Sequence, residues 1–476
     1  MFVQQFFVKG LAHSSYLLGG TNTCAIVDPR RDIGIYLQAA KEMGMKITHI
    51  LETHLHADFV SGHMDLAEQT GASICAPTSA KCRFKHKAVK EGDTVQIEDM
   101  RIKVLETPGH TPEHVSYVVT DRTRANDPVA VFCGDTLFVG DVGRPDLFPG
   151  RARDLANKLY DSLRSKLLKL PDFCEVYPAH GAGSLCGRAM GAKRTSTIGY
   201  ERRYNSALQI DDREEFVASL TTHMPAAPDH FGRCSAINGK GPVLVRELPP
   251  LLPMGPARFK KAAEKANTIV VDIRSYEAFG GQHVPGSYHI DFGGNFATFA
   301  GWILPPNQNM LIVGESQAQA EEAGIWLKRV GLDKAVGYLD GGMFAWAKSG
   351  LPTNHVRQLS TEEIHEMMTR GGKLTLLDVR AVGEFQARHI EGARNIPAPE
   401  LRDRHRELDA SKPVVLLCST GHRSSLGAAL LKQRSFEDVA NVAGGMTGYS
   451  AAGYSEKCPL CVAPHVPGVG ARRTDG

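Results

Sequence analysis

The second half of the chain repeats itself. VVDIRSYEAFGGQHVPGSYHI, from Val270, and LLDVRAVGEFQARHIEGARNI, from Leu376, align at a constant offset of 106, with Asp272 on Asp378, Arg274 on Arg380, Phe279 on Phe385, His283 on His389 and Gly286 on Gly392. GGM at Gly341 to Met343 returns at Gly444 to Met446, now at an offset of 103. Such self-similarity means two tandem copies of one domain. In each copy short β-branched runs (TIVVDI and MLIVG; LTLLDV and PVVLLC) alternate with helical stretches (QAQAEEAGIWLKRVG; RSSLGAALLKQRSF). That alternation predicts small α/β domains with mostly parallel sheets. The connectors ELPPLLPMGP and SGLPTNH place the copies at 243–356 and 357–455. The tail, 456–476, is expected to be poorly ordered. Residues 1–242 form a separate domain, with strands early and His and Asp clustered in the loops between them.

A length of 476 residues agrees with three domains at roughly 150 residues each. With 55 Lys and Arg against 52 Asp and Glu, the net charge of +3 offers no basic field for nucleic acid. No stretch approaches the ~18 apolar residues of a membrane span. The first residues, MFVQQFFVKG, alternate like a strand and lack a basic leader, so the expected location is the cytoplasm. Ten cysteines without framework spacing suit a reducing compartment. Cys75, Cys133 and Cys174 sit in apolar runs and read as packing residues, Cys24 could approach the mouth of the first domain, and Cys458 and Cys461 form an isolated C-P-L-C. A homo-oligomer is the default expectation.

The first domain carries its chemistry at strand ends. ITHILETHLHADFVSGH ends an apolar strand in His54, His56 and Asp58; ETPGHTPEH adds His110, AVFCGDTLF adds Asp135 and EVYPAHGAG adds His180. Single histidines such as His13, His86, His223 and His355 read as core or surface residues. Four strand-to-loop junctions that each end in His or Asp do not. The order H-x-H-x-D, GH, GD, AH resembles the metallo-β-lactamase superfamily, which implies an αββα sandwich with a metal at one edge of its two sheets. Hydrolases of that superfamily, glyoxalase II among them, follow the Asp with a second-metal His; here Phe59 follows Asp58. A phenyl ring cannot coordinate, and His63 is better read as a packing residue than as its replacement.

Two imidazoles and one carboxylate with open positions suit non-haem Fe(II). His54, His110 and Asp135 are the expected ligands, as the resemblance to persulfide dioxygenases of this superfamily also implies. By that match His56, Asp58 and His180 support the ligands rather than bind the ion, and Arg144, in GDVGRPDL, handles an anionic persulfide. Tyr177 either presents its hydroxyl to the metal pocket or is a buried strand tyrosine. Arg202, Arg203 and Tyr204 either line the mouth or form a solvated helix face.

In the last domain VVLLCSTGHRSSLGAALL sets Cys418 between a buried strand and an Ala- and Leu-rich helix, with Ser419, Thr420, Gly421, His422 and Arg423 as the loop. A helix N-terminus and its backbone N–H groups stabilise a thiolate or a bound anion. Strand, C-x4-R loop and helix, with D-V-R at Asp378 and GGM at Gly444, resemble a rhodanese domain; phosphatases with a related cradle use five intervening residues. The resemblance implies that Cys418 carries a sulfane sulfur, that Arg423 and His422 hold the anionic donor, and that Ser419, Thr420 and Gly421 line the cradle. The 103 offset puts Glu315 opposite Cys418 in the first copy, which predicts a silent domain.

The expectation for the whole chain is therefore a persulfide dioxygenase fused to a sulfurtransferase, holding one Fe(II). Its small-molecule partners are a thiol persulfide, O2, sulfite and thiosulfate. Two alternatives stand beside it: a zinc thioester hydrolase of glyoxalase II type, and a non-enzymatic sulfur carrier or scaffold.

Overall fold

The computed structural model describes residues 1–454 apart from 188–189, 223, 225–226 and 294, so His223 and the C-P-L-C motif lie outside the described residues. Met1–Leu248 with Ile325–Asp333 pack as one compact unit, and Pro249–Gly324 with the chain from Lys334 onward as another.

The first unit holds two six-stranded sheets. One runs in chain order through Phe2–Val8, His13–Gly19, Thr23–Val27, Lys46–Leu51, Ser73–Pro77 and Lys87–Val89. The other is ordered Ser196–Thr197, Glu175–Pro178, Ala130–Gly134, Val115–Asp121, Met100–Glu106 and Thr94–Ile97. Alternate residues face inward, as the period of a strand requires. Tyr16 and Leu18, Ala25 and Val27 from the first sheet meet Ile102 and Val104, Tyr117 and Val119, Ala130 and Phe132 from the second. The other faces are covered by helices: Gly34–Glu42 and His63–Thr70 pack on Leu17, Ile26 and Ile50. Ala152–Ser165 and Arg213–Thr221 pack on Val118, Val131 and Val176. Each large apolar side chain so buried contributes about 1.5–3 kcal/mol. The result is the expected αββα sandwich. Strands Ala130–Gly134 and Glu175–Pro178 run parallel, so both deliver their following loops to the same edge. Cys24 packs in the core with Phe6, Leu17 and Tyr36 instead of approaching the mouth, and burial pushes its thiol up to about 12. Cys75, Cys133 and Cys174 are likewise packing residues.

The second unit holds two five-stranded sheets of identical order, every pairing parallel. The first is Leu252–Met254, Ala335–Leu339, Asn309–Val313, Thr268–Asp272, Tyr288–His289; the second is Arg357–Leu359, Val439–Val442, Val414–Leu417, Thr375–Asp378, Arg394–Asn395. Their registers correct one expectation. Asp272 pairs with Val313 and Asp378 with Leu417. The residue after Val313 is Gly314, so Gly314, not Glu315, is the counterpart of Cys418. The offset shrinks by two between the second and fourth strands of the copy in chain order and by one more before GGM, which a single offset misses. The first copy still lacks a thiol there. Among the described residues, no helix is long and apolar enough to cross a membrane.

Candidate functional site

The four junctions of the first unit converge. His54, His110 and Asp135 are fully buried, and one potential ligand atom from each lies within 4.8 Å of the others. His54 Nε2 is 3.8 Å, and His110 Nε2 3.3 Å, from Asp135 Oδ2. The outer nitrogens fix both tautomers. Thr53 donates its hydroxyl to Asp28 at 2.9 Å, so it accepts from His54 Nδ1, also at 2.9 Å. His110 Nδ1 donates to the Arg144 carbonyl at 2.9 Å. Each Nε2 lone pair is thereby left inward without a hydrogen-bond partner, the arrangement of a metal-ligating imidazole. Gly134 makes the Asp135 turn possible: its φ is +51°, and a Cβ would lie 2.4 Å from His114 Nε2. That nitrogen accepts the Asp135 N–H at 2.9 Å.

Charge distinguishes these residues from one another. Burial, with the neighbouring imidazoles behind it, lowers His54 well below the usual histidine range. Burial also lowers His110, only partly offset by Asp135. Both are neutral, as ligands must be. Burial alone would raise Asp135, but His180 outweighs it and keeps the carboxylate ionised. His180 donates Nδ1 to both Asp135 oxygens at 2.8 and 2.9 Å and sets Nε2 2.8 Å from Asp58. Against burial, Asp135 and Asp58 raise its pKa well above 6.5. His56 turns away from the triad: its Nε2 is 3.1 Å from Asp28, which with Glu52 raises it despite burial. His63 pairs with Glu52 at 3.3 Å and stacks on Phe84. Phe59, fully buried, lies with its ring centroid 4.0 Å from His13 and 4.4 Å from His56. Its apolar ring stands where a second-metal histidine would begin.

Two expected substrate contacts are placed differently. Arg144 is buried beside the metal triad, but its guanidinium is engaged with Asp146 by two bonds of 2.7 Å, and its carbonyl is what orients His110. Tyr177 stacks on Phe132 and gives its hydroxyl to Glu175 at 2.7 Å, so it faces the core and the surface rather than the metal pocket. Arg202 bonds the Leu168 carbonyl at 2.7 Å and pairs with Asp172. Other residues enter unannounced. Cys186 forms a second close group with Asp58 and His180. Its only sequence signal is a position six residues after His180. His13 sits 5.5 Å, ring to ring, from His180. Asn238, on the helix His230–Lys240, donates to the carbonyls of His56 and Phe59 at 2.8 Å each and accepts the Ser61 N–H at 2.9 Å. It clamps the ligand loop from a distance of 180 residues in sequence, which no local pattern announces.

The second unit presents the thiol loop. Cys418 is buried, and its sulfur receives the Gly421 N–H at 3.1 Å and the Ser424 hydroxyl at 3.2 Å, at the start of the helix His422–Lys432. Thr420 Oγ1 meets His422 Nδ1 at 2.9 Å. Arg423 is held by Glu384 through bonds of 2.6 and 2.8 Å and reaches the Ser419 hydroxyl at 2.8 Å. That contact holds the Glu384 carboxyl down at about 2. The expected anion-holding arginine is therefore already partnered.

Comparison with known proteins matches both units to known domain families. The profile of the Metallo-beta-lactamase superfamily matches residues 8–180, and that of the Rhodanese-like domain matches 255–349 and 360–452. The persulfide dioxygenase ETHE1, mitochondrial, of Bos taurus is 30% identical over 45% of this chain and 78% of its own length. A metallo-beta-lactamase structure from Staphylococcus aureus is 35% identical, covering 71% of this chain and 98% of that one, with a TM-score of 0.64. The chain belongs to the metallo-β-lactamase superfamily. It joins that domain, with persulfide dioxygenase homologues, to two rhodanese-like domains. A hydroxyacylglutathione hydrolase of Rhodospirillum rubrum is 38% identical over 34% of this chain, which spans 58% of that enzyme's length. In this metallo-β-lactamase domain the His54, His110 and Asp135 cluster has the donor set and spacing to hold a metal ion.

Proposed function

We propose that the chain is a persulfide dioxygenase joined to a sulfurtransferase. The observation that carries the first half is the make-up of one three-residue ligand face beside a second group that lacks its usual histidine. His54, His110 and Asp135 converge as two imidazoles and one carboxylate, while beside the neighbouring group of Asp58, His180 and Cys186 stands Phe59, which cannot coordinate. Two imidazoles and one carboxylate suit Fe(II), which when bound offers open positions for a persulfide and dioxygen. The overall reaction is R–S–S(−) + O2 + H2O → R–SH + sulfite(2−) + H(+). The chain's own residues hold the ligand set. Asp28 through Thr53 fixes His54, the Arg144 carbonyl fixes His110, and His180 keeps Asp135 ionised. Ala57, Phe138, Cys186 and Phe231 form an apolar cluster around the Cys186 and Asp58 side of the pocket, which limits water there.

In the second half, the Cys418 thiolate takes the outer sulfur of a donor and becomes a persulfide. Sulfite then accepts that sulfur: Cys418–S–S(−) + sulfite(2−) → Cys418–S(−) + thiosulfate(2−). The two activities share sulfite, the product of one and substrate of the other.

Anaerobic purification, metal analysis and an oxygen electrode test both halves. One iron per chain, with O2 uptake on adding a persulfide that is lost in His110→Ala and kept with altered products in Cys418→Ser, is the expected result. Two zinc ions and no O2 uptake would support the second reading, a zinc thioester hydrolase, which the likeness to the Rhodospirillum rubrum hydrolase favours.

A further inference from the structure

The first rhodanese copy lacks a thiol, yet it touches the loop that has one. Tyr276 begins the helix Tyr276–Gly281 of that copy, and the hydroxyl end of its ring lies against Gly421. A Cβ on Gly421 would fall 2.9 Å from Tyr276 Cζ and 3.1 and 3.2 Å from its Cε atoms, and Gly421 itself has φ +110°. The glycine is required on both counts. The same ring meets His422 edge-on at 5.2 Å between centroids and 81° between planes. Its hydroxyl reaches the Gly444 backbone, at the start of the helix Gly445–Ala451. One tyrosine thus bridges Gly421, inside the thiol loop, and Gly444, at the start of the next helix. Asp291, also from the first copy, places a carboxylate 3.5 Å from His422 Nε2, where His422 is half exposed and Asp291 largely buried.

The matched positions in the thiol-bearing copy differ. At the offset of 106, Val382 stands for Tyr276 and Pro397 for Asp291. A copy that only filled space would have no reason to hold an aromatic ring and an acid against its neighbour's reactive loop.

The geometry points to the first copy as the outer wall of the Cys418 site, with Tyr276 and Asp291 as specificity-determining residues that select a low-charge alkyl persulfide over the thiosulfate dianion. This rests on the sulfurtransferase reading of Cys418. Tyr276 packs on Gly421 of the loop that holds the buried thiol, and its ring gives an apolar surface to the donor's organic group. A dianion meets two carboxylates instead, Asp291 beside His422 and Glu384 on Arg423. The selected step is Cys418–S(−) + R–S–SH → Cys418–S–S(−) + R–SH. The S–S bond of the donor breaks, a new one forms on Cys418, and the leaving thiolate keeps the donor's proton.

The test uses the full chain under nitrogen, with excess 2-hydroxyethyl persulfide or thiosulfate as donor. Mass spectrometry follows the gain of one sulfur on Cys418, and the maximal rate and half-saturating concentration are fitted separately. Asp291→Asn keeps the shape and removes the charge. It is expected to lower the half-saturating thiosulfate concentration on the order of 5–10-fold and to move that for the alkyl persulfide less than about twofold. Tyr276→Ala should raise the half-saturating alkyl persulfide concentration on the order of 10-fold, and Tyr276→Phe, which keeps the ring, should stay near wild type. An unchanged donor preference in both Asp291→Asn and Tyr276→Ala, with wild type active, overturns the inference alone. A wild type that loads neither donor, or a Cys418→Ser protein that loads equally well, overturns the sulfurtransferase reading and the inference with it.

Discussion

Replacing Phe59 with histidine tests what closes the second coordination site. The phenyl ring is fully buried between His13 and His56, so the swap gives up apolar burial and ring contact worth about 1–3 kcal/mol and lowers the unfolding temperature by a few degrees. The new imidazole joins Asp58, His180 and a shared Asp135. His180 must first release Asp58, a contact of 2.8 Å between charged groups whose loss costs about 1.5–3 kcal/mol. Zinc binding to a protein site releases about 10–16 kcal/mol, so the second ion still binds, roughly 10–150-fold more weakly than without that competition. The assay is the metal-to-chain ratio after dialysis against graded zinc, with thioester hydrolysis measured alongside. Phe59→His should rise from one ion toward two and gain hydrolysis, while wild type stays at one. A folded Phe59→His protein that holds one ion in saturating zinc would refute the reasoning, as would a wild type that already holds two.

Three further outcomes follow from particular contacts. Asn238→Leu is close in size but strands the Ser61 N–H and the His56 and Phe59 carbonyls, so stability should fall by about 3 kcal/mol or more in denaturant titration, and metal affinity with it. His289, buried and held at about 4 by burial, is neutral in the fold; its contribution is complete above 6.5, the unfolded value, and disappears as pH falls toward 4, an upper bound of about 3 kcal/mol. His289→Asn copies Asn395 of the second repeat, which makes the equivalent bond to the Arg380 carbonyl, and should remove most of that acid sensitivity in pH-dependent unfolding. Glu384→Gln frees Arg423 from its neutralising carboxylate and should lower KM for thiosulfate several-fold at similar kcat; a raised KM in steady-state kinetics would count against the assigned pairing.

The candidate metal ligands are legible in sequence because each follows a strand end, and strands of an αββα sandwich deliver those ends to one edge. Type and position coincide at the three candidate ligands His54, His110 and Asp135, and again at His180, which supports Asp135. The supporting groups are not legible, because their partners are distant in sequence. Asp28 acts through Thr53 on His54, Asn238 acts on the loop around Phe59, and Arg144 acts through its carbonyl, which has no side-chain signature. Tyr177 is ambiguous in sequence for a physical reason: a strand residue three positions before His180 faces either sheet surface depending on a bulge, and the pairing of its strand shifts register between Phe132 and Gly134. Gly314 shows the limit of alignment by offset, since a spacing change inside a loop is invisible until the sheet fixes which residues pair.

The two rhodanese copies act as a control for each other. Arg274 clasps Asp272 and the Gln282 carbonyl, as Arg380 clasps Asp378 and the Arg388 carbonyl, with both side-chain pairs buried at 2.6 Å. Because the copy without a thiol keeps this frame unchanged, the frame serves the fold: it ties the end of the strand Thr268–Asp272, or Thr375–Asp378, to the following helix. The positions that differ are those around the sulfur. Cys418 faces Gly314 across the register, and the same step sets Arg423 against Gln319, whose side chain accepts the Glu315 N–H where Arg423 donates to Ser419. Glu384 faces Ala278, so the carboxylate that holds Arg423 is absent together with its arginine. Thiol, arginine and carboxylate are thus lost or kept as a set, which marks them as one chemical device. Conversely, Tyr276 and Asp291 exist only in the copy that has lost the device, and they lie against the copy that has kept it. A domain freed from catalysis but still packed on a reactive loop changes at the residues that touch that loop, and those are the residues through which it acts on the loop's chemistry.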